Sequence, residues 1–216
     1  MKNAYSHGIE IDGEVKLDFQ KMIDRKNKVV DQTVKGINFL MDKNKITVFN
    51  GFGCFIDSSS ILIKETGEKI SFDKCVIATG SKPASLPFIN LDKKRVITST
   101  EALSLKEIPK HLVIVGGGVI GLELGQVYKR LGSEVSGIEY SNKITPFMDK
   151  DVSKELLKIF KKEKINFYLS HKVFEVENKG QSVLVKAKDI DDKVVEFNSD
   201  YCLVSVGRKP YTDGLN

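Results

Sequence analysis

The stretch that most constrains this chain is LVIVGGGVIGLELGQVYKRLGSEVSGIE, residues 112–139. An apolar run enters a glycine turn, an amphipathic segment with a helical period follows, and a second apolar run ends in an acid. That order, strand to helix to strand, is the layout of a βαβ unit with parallel strands. In the G-x-G-x-x-G pattern, Gly116 makes the tight turn, Gly118 lets the backbone approach a pyrophosphate, and Gly121 lets the helix pack close to the strand. Gly125 repeats the small-residue spacing one turn later. Backbone N–H groups at the helix start and the positive end of its dipole would hold a pyrophosphate without any basic side chain. Glu139 lies 18 residues after Gly121 (139 − 121). A carboxylate there can accept hydrogen bonds from a ribose 2′-hydroxyl and repel a 2′-phosphate, so the expected ligand is NAD(H) rather than NADP(H).

A glycine turn alone can serve packing only, so the context decides. The residues leading into the turn are apolar, Ile120, Leu124, Val127 and Leu131 recur with a helical period, and the acid closes the next strand. With 216 residues the chain can hold one large domain or two small ones, each with a core. Hydrophobic residues make up 41% and charged residues 29%, which argues against disorder. Lys and Arg exceed Asp and Glu by only 5 and are scattered, so nucleic-acid binding is not expected. No apolar run has the length of a membrane span and the N-terminus shows no signal-peptide core, so a cytoplasmic enzyme or enzyme piece is the expectation.

Cys54, Cys75 and Cys202 are too widely spaced for a C-x-x-C pair or a zinc site and are expected to be buried strand thiols. His7, His111 and His171 have no partner suggested by spacing and read as exposed or hydrogen-bonded side chains, and no metal site is expected.

Residues 17–42 carry a helical apolar pattern that predicts one long helix with a wet face and a buried face. Strand-like runs at 46–55, 61–64 and 69–78, punctuated by Asp57, Ser58, Ser59, Ser60 and Gly67, predict an antiparallel meander. A connector with Pro83 and Pro87 leads to a short helix at 100–105 capped by Ser99. After the βαβ unit, Val152, Leu156, Ile159 and Phe160 mark a second helix with Asp149 and Asp151 as candidate caps. Strands are then expected at 166–169, 173–177, 182–188, 193–197 and 201–206, the last returning into the parallel sheet. The fold class is therefore α/β, a Rossmann-like domain with an antiparallel β-meander over residues 109–216, preceded by a partial domain of long helix and meander over 1–108.

Several separated segments together resemble one family. These are NGFGCF at 50–55, VIATGSKPASLP at 76–87, VITSTEALSLKEIPKHLVIVGGGVIGLELG at 96–125 and VSVGRKPYT at 204–212. They resemble the pyridine nucleotide-disulfide oxidoreductases, and TSTEALSL running into GGGVIGLELG resembles the dihydrolipoamide dehydrogenase branch in particular. Relatives that use NADPH place arginines shortly after the Glu139 strand, where this chain has YSNKI. The resemblance implies NAD contacts at Gly116, Gly117, Gly118, Val119, Ile120, Gly121, Leu122, Glu123, Glu139, Val173 and Gly207. It implies FAD contacts at Gly53, Thr79, Gly80 and Ser81, which makes 1–108 the C-terminal part of an FAD-binding domain. Glu123 would sit by the flavin and pair with a lysine that follows the redox cysteines.

The family's chemistry also needs a C-x-x-x-x-C disulfide beside the flavin and a His-Glu pair from the partner subunit, and neither pattern stands in this sequence. No catalytic residue is therefore expected here. The resemblance implies an intact homodimeric enzyme that reoxidises dihydrolipoamide on the lipoyl domains of 2-oxo-acid dehydrogenase complexes. The isolated chain is expected to bind NAD(H) at most and not to retain FAD. A non-catalytic NAD-binding module, and another disulfide reductase of the same fold, are the alternatives.

Overall fold

The computed structural model describes residues 7–10 and 12–215. Its centre is a five-stranded sheet that grows from the 112–139 segment. Runs rich in Val, Ile and Leu form its central strands, which are buried on both faces as parallel strands require.

In chain order the elements are α1 (Phe19–Lys43), β1 (Gly53–Asp57), β2 (Ser60–Ile63), β3 (Lys69–Ser71), β4 (Ser81–Pro83), β5 (Val96–Ile97) and α2 (Ser99–Ala102). Then come β6 (His111–Val115), α3 (Val119–Leu131), β7 (Glu134–Ile138), α4 (Lys150–Lys162) and β8 (Asn166–Tyr168). The chain closes with β9 (Lys172–Asn178), β10 (Val183–Lys188), β11 (Val194–Ser199), β12 (Tyr201–Val204) and β13 (Arg208–Pro210). The central sheet runs β5-β12-β6-β7-β8, all pairs parallel. The expected returning strand is thus an internal one, with Leu203 opposite Ile114 and Val204 opposite Val115.

Alternate residues of these strands face two different cores. Ile97, Leu112, Ile114 and Leu203 join Leu122 and Tyr128 of α3 and Phe160 of α4. Val96, Val113, Val115, Cys202 and Val204 join Val183, Val185, Ala187 and Phe197 of the antiparallel sheet β11-β10-β9. The result is three layers: helices, parallel sheet, meander. Asp149 caps α4 by accepting from Asp151 N–H at 2.8 Å. In α2 the cap is Thr98 rather than Ser99, because Glu101 reaches back to the Thr98 N–H at 2.9 Å and completes a capping box. Among the described residues no helix is long and apolar enough to cross a membrane.

Four details depart from the expectations. The buried face of α3 is Gly121, Leu122, Gly125 and Tyr128, while Val127 is exposed. Glycines bring the helix so close to β6 that the contact stripe rotates onto them, and Tyr128 reaches across to donate its hydroxyl to the Ala102 carbonyl. Helix α1 forms as expected, with Asp18 accepting from Lys21 N–H at 3.0 Å, but none of its residues is buried. Val29, Val30, Val34, Ile37 and Leu40 stay exposed because no described residues cover that face. The first meander is confined to β1-β2-β3, and the apolar runs at 46–49 and 76–78 form no strand. A strand exists only when a neighbouring strand takes up its N–H and C=O groups, and among the described residues no strand pairs with these runs. Finally, Cys54 and Cys202 are buried strand thiols, but Cys75 is exposed outside any strand, just before the run at 76–78.

Candidate functional site

The turn between β6 and α3 opens at the carboxyl end of the parallel strands, where open α/β sheets bind ligands. Gly116 has φ +106°, and a Cβ there would lie 2.6 Å from the Ser205 carbonyl oxygen, so glycine is required by geometry and by the chain returning from β12. Gly121 is required by packing: its Cβ would meet Ser205 Oγ at 2.5 Å and Ile114 Cγ2 at 2.9 Å. Gly118 differs from both. It is the N-cap of α3 with an ordinary φ of −80°, and nothing lies within 4 Å of where its Cβ would stand.

That open space is part of a cavity of about 620 Å³ lined by Gly116, Gly118, Val119 and Ile120, by Glu139, by Val173 and by Gly207. The volume falls within the roughly 300–1,000 Å³ range of small-molecule sites. The remaining walls are largely apolar, with Leu86, Phe88, Val115, Ile138, Met148 and Val206, so water would be excluded from a bound molecule. Lys172, Thr145 and Phe147, which no sequence pattern marked, also reach the lining, as does His171, whose Nδ1 lies 2.7 Å from the Leu169 carbonyl.

Glu139 is 8% exposed at the end of β7. Its Oε2 accepts from Gly117 N–H at 2.5 Å and its Oε1 accepts from Ser141 N–H at 2.7 Å. A carboxylate offers about four acceptor positions, so about two remain for hydroxyls entering the cavity. The glycine turn is sewn to its surroundings by Gly116 N–H on the Ile138 carbonyl at 2.8 Å and Thr145 N–H on the Gly117 carbonyl at 2.8 Å.

Not every sequence-singled residue lies in the cavity wall. Gly117 backs the turn against Glu139, Gly121 and Leu122 pack into the sheet, and Glu123 is exposed outside the lining. Thr79, Gly80 and Ser81 gather at another place, where β4 pairs antiparallel with β13. Thr79 Oγ1 donates to the Tyr211 carbonyl at 2.6 Å, Tyr211 N–H donates to the Gly80 carbonyl at 3.0 Å, and Arg208 Nε donates to Ser81 Oγ at 2.7 Å. Gly53 stands in the β1-β2-β3 sheet, beside β2. These four line no part of the cavity, and the Thr79 hydroxyl, the Gly80 carbonyl and the Ser81 hydroxyl oxygen each have a partner in the 208–211 segment.

The three thiols are free. Burial pushes the Cys202 thiol up to about 12, which keeps it protonated and unreactive at neutral pH. His111 is tied by its ring nitrogens to the Asn198 carbonyl at 2.8 Å and Ser136 Oγ at 3.0 Å, bridging the meander to β7.

The chain belongs to the pyridine nucleotide-disulphide oxidoreductase family, which it matches over residues 2–216. It is 38% identical to the mitochondrial dihydrolipoyl dehydrogenase of Pisum sativum over 215 residues, covering 98% of this chain and 43% of that protein. It is also 38% identical to the dihydrolipoyl dehydrogenase of Bacillus subtilis, covering 100% of this chain and 47% of that protein. Among solved structures, the HOCl-induced flavoprotein disulfide reductase RclA of Escherichia coli superposes with a TM-score of 0.82 at 29% identity, covering 93% of this chain and 45% of that one. LpdA of Mycobacterium tuberculosis superposes with a TM-score of 0.81 at 25% identity, over 94% of this chain and 46% of that one. The chain thus spans less than half the length of each of these relatives.

Proposed function

We propose that residues 109–216 are the NAD(H)-binding domain of a flavin-dependent dihydrolipoyl dehydrogenase, and that residues 1–108 contribute the C-terminal part of its FAD-binding domain. In this reading the whole enzyme is a homodimer that reoxidises dihydrolipoamide, carried on lipoyl domains of 2-oxo-acid dehydrogenase complexes, and passes the electrons to NAD. The observation that carries it is Gly118, whose lack of a side chain serves neither backbone geometry nor packing and leaves a cavity open at a helix N-terminus.

The residues fit a dinucleotide. The N–H groups opening α3 would hold its diphosphate, helped by the helix dipole. Glu139 would use its remaining acceptor positions on the adenosine ribose and repel a 2′-phosphate. Val173 would pack on the base, and Gly207, with φ +115°, lets the chain pass close by without a side chain. Bound there, the nicotinamide would supply the hydride-accepting ring. Gly53, Thr79, Gly80 and Ser81 stand apart from this cavity and would contribute to an FAD site only together with the rest of the FAD-binding domain, so no step is assigned through a flavin held by these residues alone. Cys54, Cys75 and Cys202 form no C-x-x-x-x-C pair, so the isolated chain should show negligible dihydrolipoamide turnover. The RclA superposition favours, as a second reading, a disulfide reductase with a substrate other than dihydrolipoamide.

Titration with NADH and with NADPH, followed by coenzyme fluorescence, tests the assignment. Saturation by NADH is expected with a Kd lower than that for NADPH by about tenfold or more, and Glu139→Ala should narrow that gap. Equal or tighter binding of NADPH, or no saturation by either, contradicts it.

A further inference from the structure

Thr145 has φ +46°, a conformation in which a β-branched side chain is strained, yet it is only 4% exposed and held from three sides. Its N–H donates to the Gly117 carbonyl at 2.8 Å, its carbonyl accepts from Met148 N–H at 2.9 Å, and its hydroxyl lies 2.9 Å from Ser153 Oγ on α4. The Met148 bond closes a turn with Pro146 and Phe147 at the central positions, and proline fixes the first of them. Strain held in this way places one side chain at the tip, and that side chain is Phe147, which is 102% exposed. All four residues of the turn line the cavity at the glycine loop.

A phenyl ring with no shelter gains nothing for the folded chain by standing in water. It gains if a flat apolar group arrives against it. The turn hangs from Gly117, whose own N–H is bound to Glu139, so its tip stands on the side of the cavity given to the adenosine ribose. Lysine or glutamate at the tip would be the ordinary solution for a solvated turn; what sets Phe147 apart from other exposed apolar side chains such as Val76 and Ile190 is that it lines the cavity, where a ligand can cover it.

We propose that Phe147 is an unassigned contact residue of this site, capping the adenosine half of the bound coenzyme from a turn that the strained Thr145 holds in place. This rests on the dinucleotide reading above. Aromatic stacking on a base predicts that Phe147→Ala raises the Kd for NADH about tenfold. The same change should be seen for ADP-ribose measured by competition against NADH, because both share the adenosine half. Phe147→Tyr should stay within about twofold of the parent, since the ring face is kept. Thermal midpoints of both variants should match the parent, because the exposed ring packs on nothing. Unchanged affinity in Phe147→Ala overturns the proposal while leaving NAD binding intact. Loss for NADH without loss for ADP-ribose overturns the adenosine assignment. Failure of the parent chain to bind either molecule overturns the dinucleotide reading itself.

Discussion

Gly118 and Gly121 belong to one motif but answer to different constraints. At Gly121 a methyl group would collide with Ser205 Oγ, the Gly116 carbonyl and Ile114. Gly121→Ala should therefore cost about 1–3 kcal/mol, read as a lower denaturant midpoint. At Gly118 a methyl group meets nothing within 4 Å, so Gly118→Ala should keep the parent's midpoint while its Kd for NADH rises about tenfold or more. A destabilised Gly118→Ala with unchanged affinity would reverse the two roles. Both glycines, and Glu139, were legible in the sequence because the motif's spacing is local: a turn, one helical turn, one strand. The turn at 145–148 was not legible, since what shapes it is the Gly117 carbonyl and a serine on another helix.

At the scale of elements, the parallel sheet is anchored at its edge by Asp92. Its Oδ1 accepts from the N–H groups of Lys94, Arg95 and Val96 at 2.7, 2.8 and 3.0 Å, and its Oδ2 accepts from Asn178 Nδ2 at 2.5 Å. One carboxylate thus ties the entry of β5 to the end of β9. Partial burial raises the Asp92 carboxyl, but these donors outweigh it and hold its pKa below the ordinary aspartate value. Glu101 in the α2 capping box follows the same balance, with burial opposed by the Thr98 hydroxyl and N–H. Because both groups bind protons less readily folded than unfolded, their stabilisation is complete above the ordinary carboxyl range and is lost as pH falls through the folded values. Asp92→Ala should cost about 1–3 kcal/mol at neutral pH, and the gap to the parent should shrink below about pH 4. A gap that widens in acid would contradict this. Element type followed from periodicity, but which face of α3 is buried did not: the apolar stripe pointed to Val127, whereas Gly121 and Gly125 let the helix backbone approach Ile114 and leave Val127 on the outer side.

For the whole molecule, the α/β/β sandwich closes its own two cores, whereas α1 and the runs at 46–49 and 76–77 expose their apolar side chains, with Val76 88% and Phe39 64% exposed. Strand-forming segments without a paired strand, and an exposed apolar helix face, each favour association. The isolated chain is expected to bind a hydrophobic dye such as ANS in its native state and to self-associate with rising concentration in light scattering; a strictly monodisperse, dye-silent chain would contradict that. Its helix and strands were visible in the sequence as patterns, but their partnership was not, because a pattern shows which face wants covering and not what covers it. The most direct measurement returns to the glycine turn: amide ¹H–¹⁵N spectra of the chain titrated with NADH. The largest shifts should fall on Gly118, Val119, Ile120 and their neighbours in the turn, with Glu139 and Gly207 following. Shifts confined to other surfaces, or none at saturating coenzyme, would contradict a diphosphate seated on the amides that open α3.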